Sequence, residues 1–468
     1  MTKAALDAIG LKWQAGDLAA AAALAAQFCE AVKTPEHQAP ARFWLGMIAH
    51  REQRYAEALP HYEAARQYDA GNPQLLFQLG TVQGYLGDAA KAEASYQEAL
   101  RLAPQFAHAH YNLGVLLQNR GELAGARRAF ELAITHQPKL VQAHNNLGNV
   151  LLALNDTAGA QQCYQAALTI EPRFAHAWHA LGLLRVRVHD PAGARGYFER
   201  AVAAAPEFES AWMDLADTCH TLGDTAAALT CLAEILARTP EHAIALFKRA
   251  QFSGTESPAE IPRELLERLY TGMAPTFDSH LTERLGYQIP TLLRETLVPW
   301  LKHRAEQPTV LDLGCGTGLF GAEIRAHAAK LVGVDLSPAM LEKAKGRGVY
   351  DELHVAELGD YLACEPRQFD LISATDVLIY LGALETVFKQ VHAKLAPDGR
   401  FAGSVETPAD FVEGYRLLPS GRFAHSMAYV ESCAQAAGLV LTHNISTVIR
   451  LENGAPIAGV LFVVERRA

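Results

Sequence analysis

Residues Thr309 to Phe320 read TVLDLGCGTGLF. Five residues of strand character lead into a turn that carries Gly314, Gly316 and Gly318, and a helix-like stretch follows. Strand, glycine turn and helix in that order bring backbone amides to the carboxyl edge of a sheet, where a ligand can rest on them. The glycines let the chain come close where a Cβ would collide. No Gly-Lys-Ser/Thr follows, which excludes a P-loop.

Around this segment, short β-branched runs alternate with amphipathic stretches: KLVGVD, ELHV, FDLISA and RFAGSV, then VLTHNISTVIRL and IAGVLFVVE. Strand alternating with helix predicts a mostly parallel sheet. The last two runs flank the turn ENGAP, Glu452 to Pro456, and predict an antiparallel hairpin that closes a seven-stranded sheet. Upstream, FSGTESPAEIP has the composition of a linker, placed at residues 252–275.

The first half of the chain is periodic. Gly46, Gly80, Gly114, Gly148, Gly182, Ala216 and Ala250 advance by 34 residues at each step. Twelve residues after the first six stand Ala58, Ala92, Ala126, Ala160, Ala194 and Ala228; four further on come Tyr62, Tyr96, Phe130, Tyr164, Phe198 and Leu232. Pro104, Pro138, Pro172, Pro206 and Pro240 close five units. Small residues recur where helices must touch, a bulky one fills the gap, and proline stops the second helix.

The chain has 468 residues, half of them hydrophobic and a fifth charged, which excludes a disordered protein. No apolar run is long enough to span a bilayer and no secretion signal opens the chain, so a cytoplasmic protein without membrane contact is expected. Seven scattered cysteines with no CxxC predict neither a disulfide framework nor a metal site. The net charge is -10, and both halves are acidic: 21 Lys+Arg against 24 Asp+Glu up to residue 250, and 20 against 27 beyond. A nucleic-acid partner is therefore not expected.

The 34-residue pattern, seen in AHAHYNLGVLLQNRGELAGARRAFELAITHQP, resembles the tetratricopeptide repeat, with about seven units over residues 1–251. The resemblance implies an all-α solenoid of helix pairs with a concave groove. Gln78, Asn112, Asn146 and Asn149 stand on the helices that line that groove in the family, and a ladder of amides can hold an extended peptide backbone. Solvated polar positions are the alternative reading. His108, His110, Tyr111, His176, Trp178 and His179 lie nearby.

VLDLGCGTG followed by LVGVDLSPAMLEKAK resembles the class I S-adenosylmethionine-dependent methyltransferases, which have an α/β Rossmann-like fold, over residues 276–468. Together the halves resemble bacterial methyltransferases that carry tetratricopeptide repeats. The likeness implies S-adenosyl-L-methionine as cofactor, with Asp312, Gly314, Cys315, Gly316 and Gly318 at its methionine part and Asp335 at the ribose hydroxyls. Leu336 and Met340 would border the adenine, Leu358 would touch the cofactor, Glu357 would accept from the adenine amino group, and Thr375 would stand by the methyl. Gly316, Gly318 and Gly321 also spell GxGxxG, so a dinucleotide site is the formal alternative. Asp312 inside the strand and the terminal hairpin weigh against it.

The candidate acceptor residues are Asp376, Tyr380, Glu406 and His425 as catalytic groups, with Tyr287, Tyr415 and Arg416 at the substrate. Each has a capping or surface role as its alternative. The segment MAPTFDSHLTERLGYQIP resembles a lid, which would bring Phe277 and Tyr287 to the site. No Asn/Asp-Pro-Pro-Tyr/Phe occurs. The leading expectation is a methyltransferase whose groove recruits a protein or peptide. Two others stand beside it: a small-molecule methyltransferase whose repeats serve homodimerisation or recruitment, and an inactive scaffold.

Overall fold

The computed structural model describes residues 2–255, 257–274, 277–279, 281, 285–408, 410–411, 413–452 and 454–466. The chain folds as two compact units, 1–222 and 223–468.

The first unit is a run of antiparallel helix pairs. Thr2–Gln14 and Leu18–Ala31 come first, then Pro35–Arg51 with Tyr55–Arg66, Pro73–Tyr85 with Ala89–Leu102, and Ala107–Asn119 with Leu123–His136. Val141–Ala153 with Thr157–Ile170, Ala175–Arg187 with Pro191–Ala204, and Glu209–Thr221 complete it. The period has a packing cause. A Cβ on Gly46, Gly80, Gly114, Gly148 or Gly182 would come within 2.4 to 2.8 Å of the ring sixteen residues later in each unit, Tyr62, Tyr96, Phe130, Tyr164 or Phe198. The marker glycine is thus the socket for the next helix's aromatic ring.

Start and stop signals recur with the same spacing. Asp17, Asp88, Asp156 and Asp190 cap second helices by accepting from the backbone amide three residues on. The residue before each closing proline leaves the helical region, as a proline ring requires of its predecessor. A further tie comes from the first helices: His110 and His144 bond through Nε2 to the carbonyls of Pro104 and Pro138, at 2.8 and 2.9 Å. One period on, Trp178 and Trp212 donate to Pro172 and Pro206 at 2.8 and 2.7 Å. His110 and Trp178 are accordingly part of the repeat's own scaffold.

The second unit opens with helices Thr225–Arg238 and Ala243–Ser253. The stretch read as linker is structured: Glu260 forms an isolated β-bridge with Leu381, and helix Arg263–Met273 follows. Ile261 is buried with Phe247, Ala250, Leu417 and Phe423, so apolar burial overrides the turn-like composition. Helix Ile289–His303 then leads into the sheet.

Nine strands are seen among the described residues: β1 Thr309–Leu313, β2 Lys330–Asp335, β3 Glu352–Val355, β4 Phe369–Ala374, β5 Leu395–Glu406, β6 Tyr415–Leu417, β7 Phe423–His425, β8 Leu439–Glu452 and β9 Ala455–Arg466. The expected parallel core is present, with β3, β2, β1, β4 and β5 side by side. Antiparallel β9 and β8 extend it from β5. The short pair β6–β7, not foreseen from the sequence, attaches at the end of β5 through Glu406 and Ala424. No helix is long and apolar enough to cross a membrane among the described residues.

Candidate functional site

Strand β1 delivers the chain to its glycine turn at the carboxyl edge of the sheet. Gly314, Gly316 and Gly318 have φ of 64°, 54° and 89°, values an L side chain rarely adopts. At Gly314 a Cβ would also strike Val377 at 2.5 Å. The turn is fixed from behind by Asp335 at the end of β2, whose two carboxylate oxygens accept from the amides of Gly316 and Ser337, each at 2.8 Å. Burial raises the Asp335 carboxyl above its ordinary range, and those amides oppose the rise.

A cleft lies on this edge, its space about 1000 Å³ with the open solvent at its mouth included. Gly314, Cys315, Gly316, Asp335, Leu336, Met340, Glu357, Leu358 and Thr375 all line it, as do Asp376 and Tyr380. Glu357 has a second task, since its Oε2 accepts from the Asp360 amide at 2.9 Å and caps helix Leu358–Cys364. Phe277 and Tyr287 line the cleft as expected of a lid segment, and Leu266 and Tyr270 join them from the stretch read as linker. The remaining expectation for the lid, residues 275–276, 280 and 282–284, lies outside the described residues.

Two residues assigned to the ligand stand behind the wall instead. Asp312 is fully buried below the turn, with Tyr350 Oη donating to one carboxylate oxygen at 2.6 Å and Ser373 Oγ to the other at 2.8 Å. Burial lifts its carboxyl to about 6 despite those two donors. Gly318 serves Tyr350 as well: a Cβ on Gly318, Gly321 or Gly333 would come within 2.4 to 2.9 Å of that one ring. The third glycine of GxGxxG is thus explained by Tyr350.

Asp376 follows the end of β4. Asp376 has φ 56°, an unusual value for a residue with a Cβ, and its amide donates to Ser404 Oγ at 2.9 Å. Its Oδ1 accepts from Arg450 Nη1 at 3.0 Å. Arg450, on β8, is 1% exposed and also pairs with Glu406. Nothing in local spacing announces this arginine, which lies 74 residues from Asp376 in sequence. Tyr270 and Tyr380 join their hydroxyls at the cleft, and Tyr287 bonds to Thr375. Burial keeps all three phenols protonated.

Four expected acceptor residues do not reach the cleft. Glu406 is flanked by β7 and β9 and is committed to Arg450. His425 is fully buried on β7, where its Nε2 donates to the carbonyls of Leu381 at 2.8 Å and Gly382 at 3.1 Å, and burial lowers its pKa to about 4. It is therefore a neutral prop for the turn after Tyr380. Tyr415 packs against Gly382. Arg416 reaches Asp410 at 3.3 Å and covers the ring of Phe411.

In the repeats, the groove amides are already engaged between neighbouring helices. Asn112 donates to Thr81 Oγ1 at 3.2 Å and to Tyr96 Oη at 3.3 Å, Asn146 donates to Tyr111 Oη at 3.3 Å, and Asn149 accepts from Tyr164 Oη at 2.8 Å. Each remains half-buried and keeps hydrogen-bonding capacity beyond these contacts.

Residues 311–401 match a family model described as a methyltransferase domain, and tetratricopeptide-repeat models match residues 6–73, 77–141, 141–174 and 186–250. The chain joins tetratricopeptide repeats to a methyltransferase domain. Among curated proteins, methyltransferase-like protein 27 of Homo sapiens is 35% identical over 116 residues, 25% of this chain and 45% of the relative. The ubiquinone biosynthesis O-methyltransferase of Coxiella burnetii is 28% identical over 94 residues, 19% of this chain and 40% of the relative. The chain spans less than half the length of each. A solved tetratricopeptide repeat protein from Parabacteroides merdae aligns with a TM-score of 0.44 at 15% identity, covering 54% of this chain and 98% of that one. The methyltransferase domain holds the cleft described above, on the sheet edge where β1 and β4 end.

Proposed function

We propose that the methyltransferase domain takes methyl from S-adenosylmethionine and that the repeats recruit a protein or peptide acceptor. The observation that carries the cofactor is the lining of the cleft: Asp335, Glu357 and Asp376 contribute carboxylates, and among the described residues no Lys, Arg or His lines it. A ligand with a sulfonium and an ammonium gains from that field, whereas the pyrophosphate of a dinucleotide would be repelled by it.

The residues fit the cofactor. Gly314 to Gly316 would receive its amino-acid end and Asp335, with lone pairs left after two amide bonds, its ribose hydroxyls. Leu336, Met340 and Leu358 would enclose the adenine, with Glu357 at its amino group. When bound, the cofactor supplies a methyl group on a sulfonium. Such a displacement needs positioning and exclusion of water, which the aromatic side of the cleft provides. The expectation of peptide recruitment draws on the half-buried amides of Asn112, Asn146 and Asn149.

Calorimetry tests the cofactor: S-adenosylmethionine is expected to bind the full chain and to lose binding in Asp335→Ala, and unchanged affinity would sink the assignment. Mass spectrometry of lysate treated with labelled cofactor tests the acceptor. Label on a protein, reduced by Asn146→Ala at constant cofactor affinity, supports recruitment; label confined to metabolites favours the small-molecule reading.

A further inference from the structure

We propose that the methyl acceptor is an amine, held at Asp376 among the rings of Tyr270, Phe277, Tyr287 and Tyr380. The proposal rests on the methyl-transfer reading above and adds the class of acceptor. Tyr270 meets Tyr380 edge-on with centroids 5.7 Å apart and Phe277 at 6.0 Å, while Tyr287 approaches from the start of helix Ile289–His303. Asp376 lines the same cleft as Tyr270, Phe277, Tyr287 and Tyr380, and it precedes Tyr380 by four residues.

Among the described residues, Arg450 alone donates to that carboxylate, through Oδ1, and leaves Oδ2 for a ligand. The nearby cations are already matched behind the wall. Arg450 also serves Glu406, and Arg422 serves Glu452 at 2.8 Å. Three carboxylates thus face two guanidinium groups, and neither arginine lines the cleft. Among the described lining residues an anionic acceptor would find no cation. A protonated amine gains both the carboxylate and the electron-rich ring faces. In the reaction, the bound ammonium first gives one proton to Asp376 and on to water; the freed nitrogen lone pair then forms the N–CH3 bond as the C–S pair stays on sulfur, leaving a protonated methylamine and the thioether.

The test uses full-length protein saturated with S-adenosylhomocysteine and three matched probes: phenethylamine, 2-phenylethanol and 3-phenylpropionate. Calorimetry is expected to rank the amine at least tenfold tighter than the alcohol, with the carboxylate weakest. Asp376→Asn is expected to bring the amine to the level of the alcohol. Tyr270→Leu, which keeps the charge, is expected to cost the amine more than the alcohol. Equal affinities, undetectable binding of all three, or a preference for the carboxylate would overturn the proposal. Failure of S-adenosylhomocysteine itself to bind would instead overturn the cofactor reading. A lysine peptide and its acetylated form separate the sources: preference for the free lysine places the amine on a polypeptide, and preference confined to phenethylamine places it on a small molecule.

Discussion

Tyr350 donates its hydroxyl to Asp312 at 2.6 Å, and three glycines at 318, 321 and 333 leave room for its ring. The glycine turn therefore rests on one tyrosine as much as on its own backbone. Tyr350→Phe keeps the ring and removes a donor to the ionised carboxylate. The Asp312 carboxyl is raised to about 6 in the folded protein, so its contribution to stability is present at low pH and lost as pH rises through that value. Loss of the donor deepens the deficit, and we expect Tyr350→Phe to cost about 1 to 2 kcal/mol at pH 8 and clearly less at pH 4. Denaturant titrations at the two pH values check it.

His425 gives the opposite slope. Its folded pKa, about 4, lies below the ordinary 6.5, so its stabilising contribution is full above 6.5 and disappears as pH falls toward 4. The difference in melting temperature between parent and His425→Gln should shrink across that window, by the equivalent of roughly 3 kcal/mol. A constant difference would show that the imidazole is not held neutral.

The solenoid offers a paired test at two helical glycines. Gly148→Ala drives a Cβ toward Tyr164, at 2.5 Å, and should destabilise by about 1 to 3 kcal/mol. Gly196→Ala meets nothing within 4 Å and should stabilise by roughly 0.5 to 1 kcal/mol. Urea unfolding of the full chain measures both, and equal signs would refute the socket.

Arg450 bridges the buried carboxylate of Glu406 and the half-buried one of Asp376. Arg450→Met leaves Asp376 and Glu406 without their common partner and should cost about 3 to 5 kcal/mol. Adding Glu406→Gln should recover part of that loss, a coupling that a double-mutant cycle measures.

Phe247 is 3% exposed in the cluster that joins the last solenoid helix to β6 and β7. Phe247→Ala should cost about 3 to 5 kcal/mol. For the same reason a chain cut before residue 223 should melt at higher temperature than one cut before 252, which bares Leu417 and Phe423. Identical melting of the two would contradict the packing.

The legible features were those written as local pattern. The 34-residue period showed itself because each glycine answers a ring at a fixed offset, and the turn at Gly314 to Gly318 because strand, glycines and helix are contiguous. Contacts formed by tertiary register left no such trace. Arg450 meets Asp376 from a strand 74 residues away, and Tyr350 meets Asp312 from 38 away. Glu406 looked reactive because it ends a strand and His425 because it stands just before a helix, yet neighbouring strands cover both. Tyr270 was hidden in a stretch whose glycine and proline content masked an amphipathic helix.

The segment Ser257–Pro262 is stitched to the turn beyond Tyr380: Ile261 N donates to Tyr380 O at 3.1 Å, and Gly382 N donates to Ala259 O at 2.7 Å. That seam gives the chain a direction of growth. Repeats can be gained or lost at the amino-terminal end with only the neighbouring unit to satisfy. The carboxyl-terminal end of the array is fixed in length, because a change there would pull on a residue that lines the cleft.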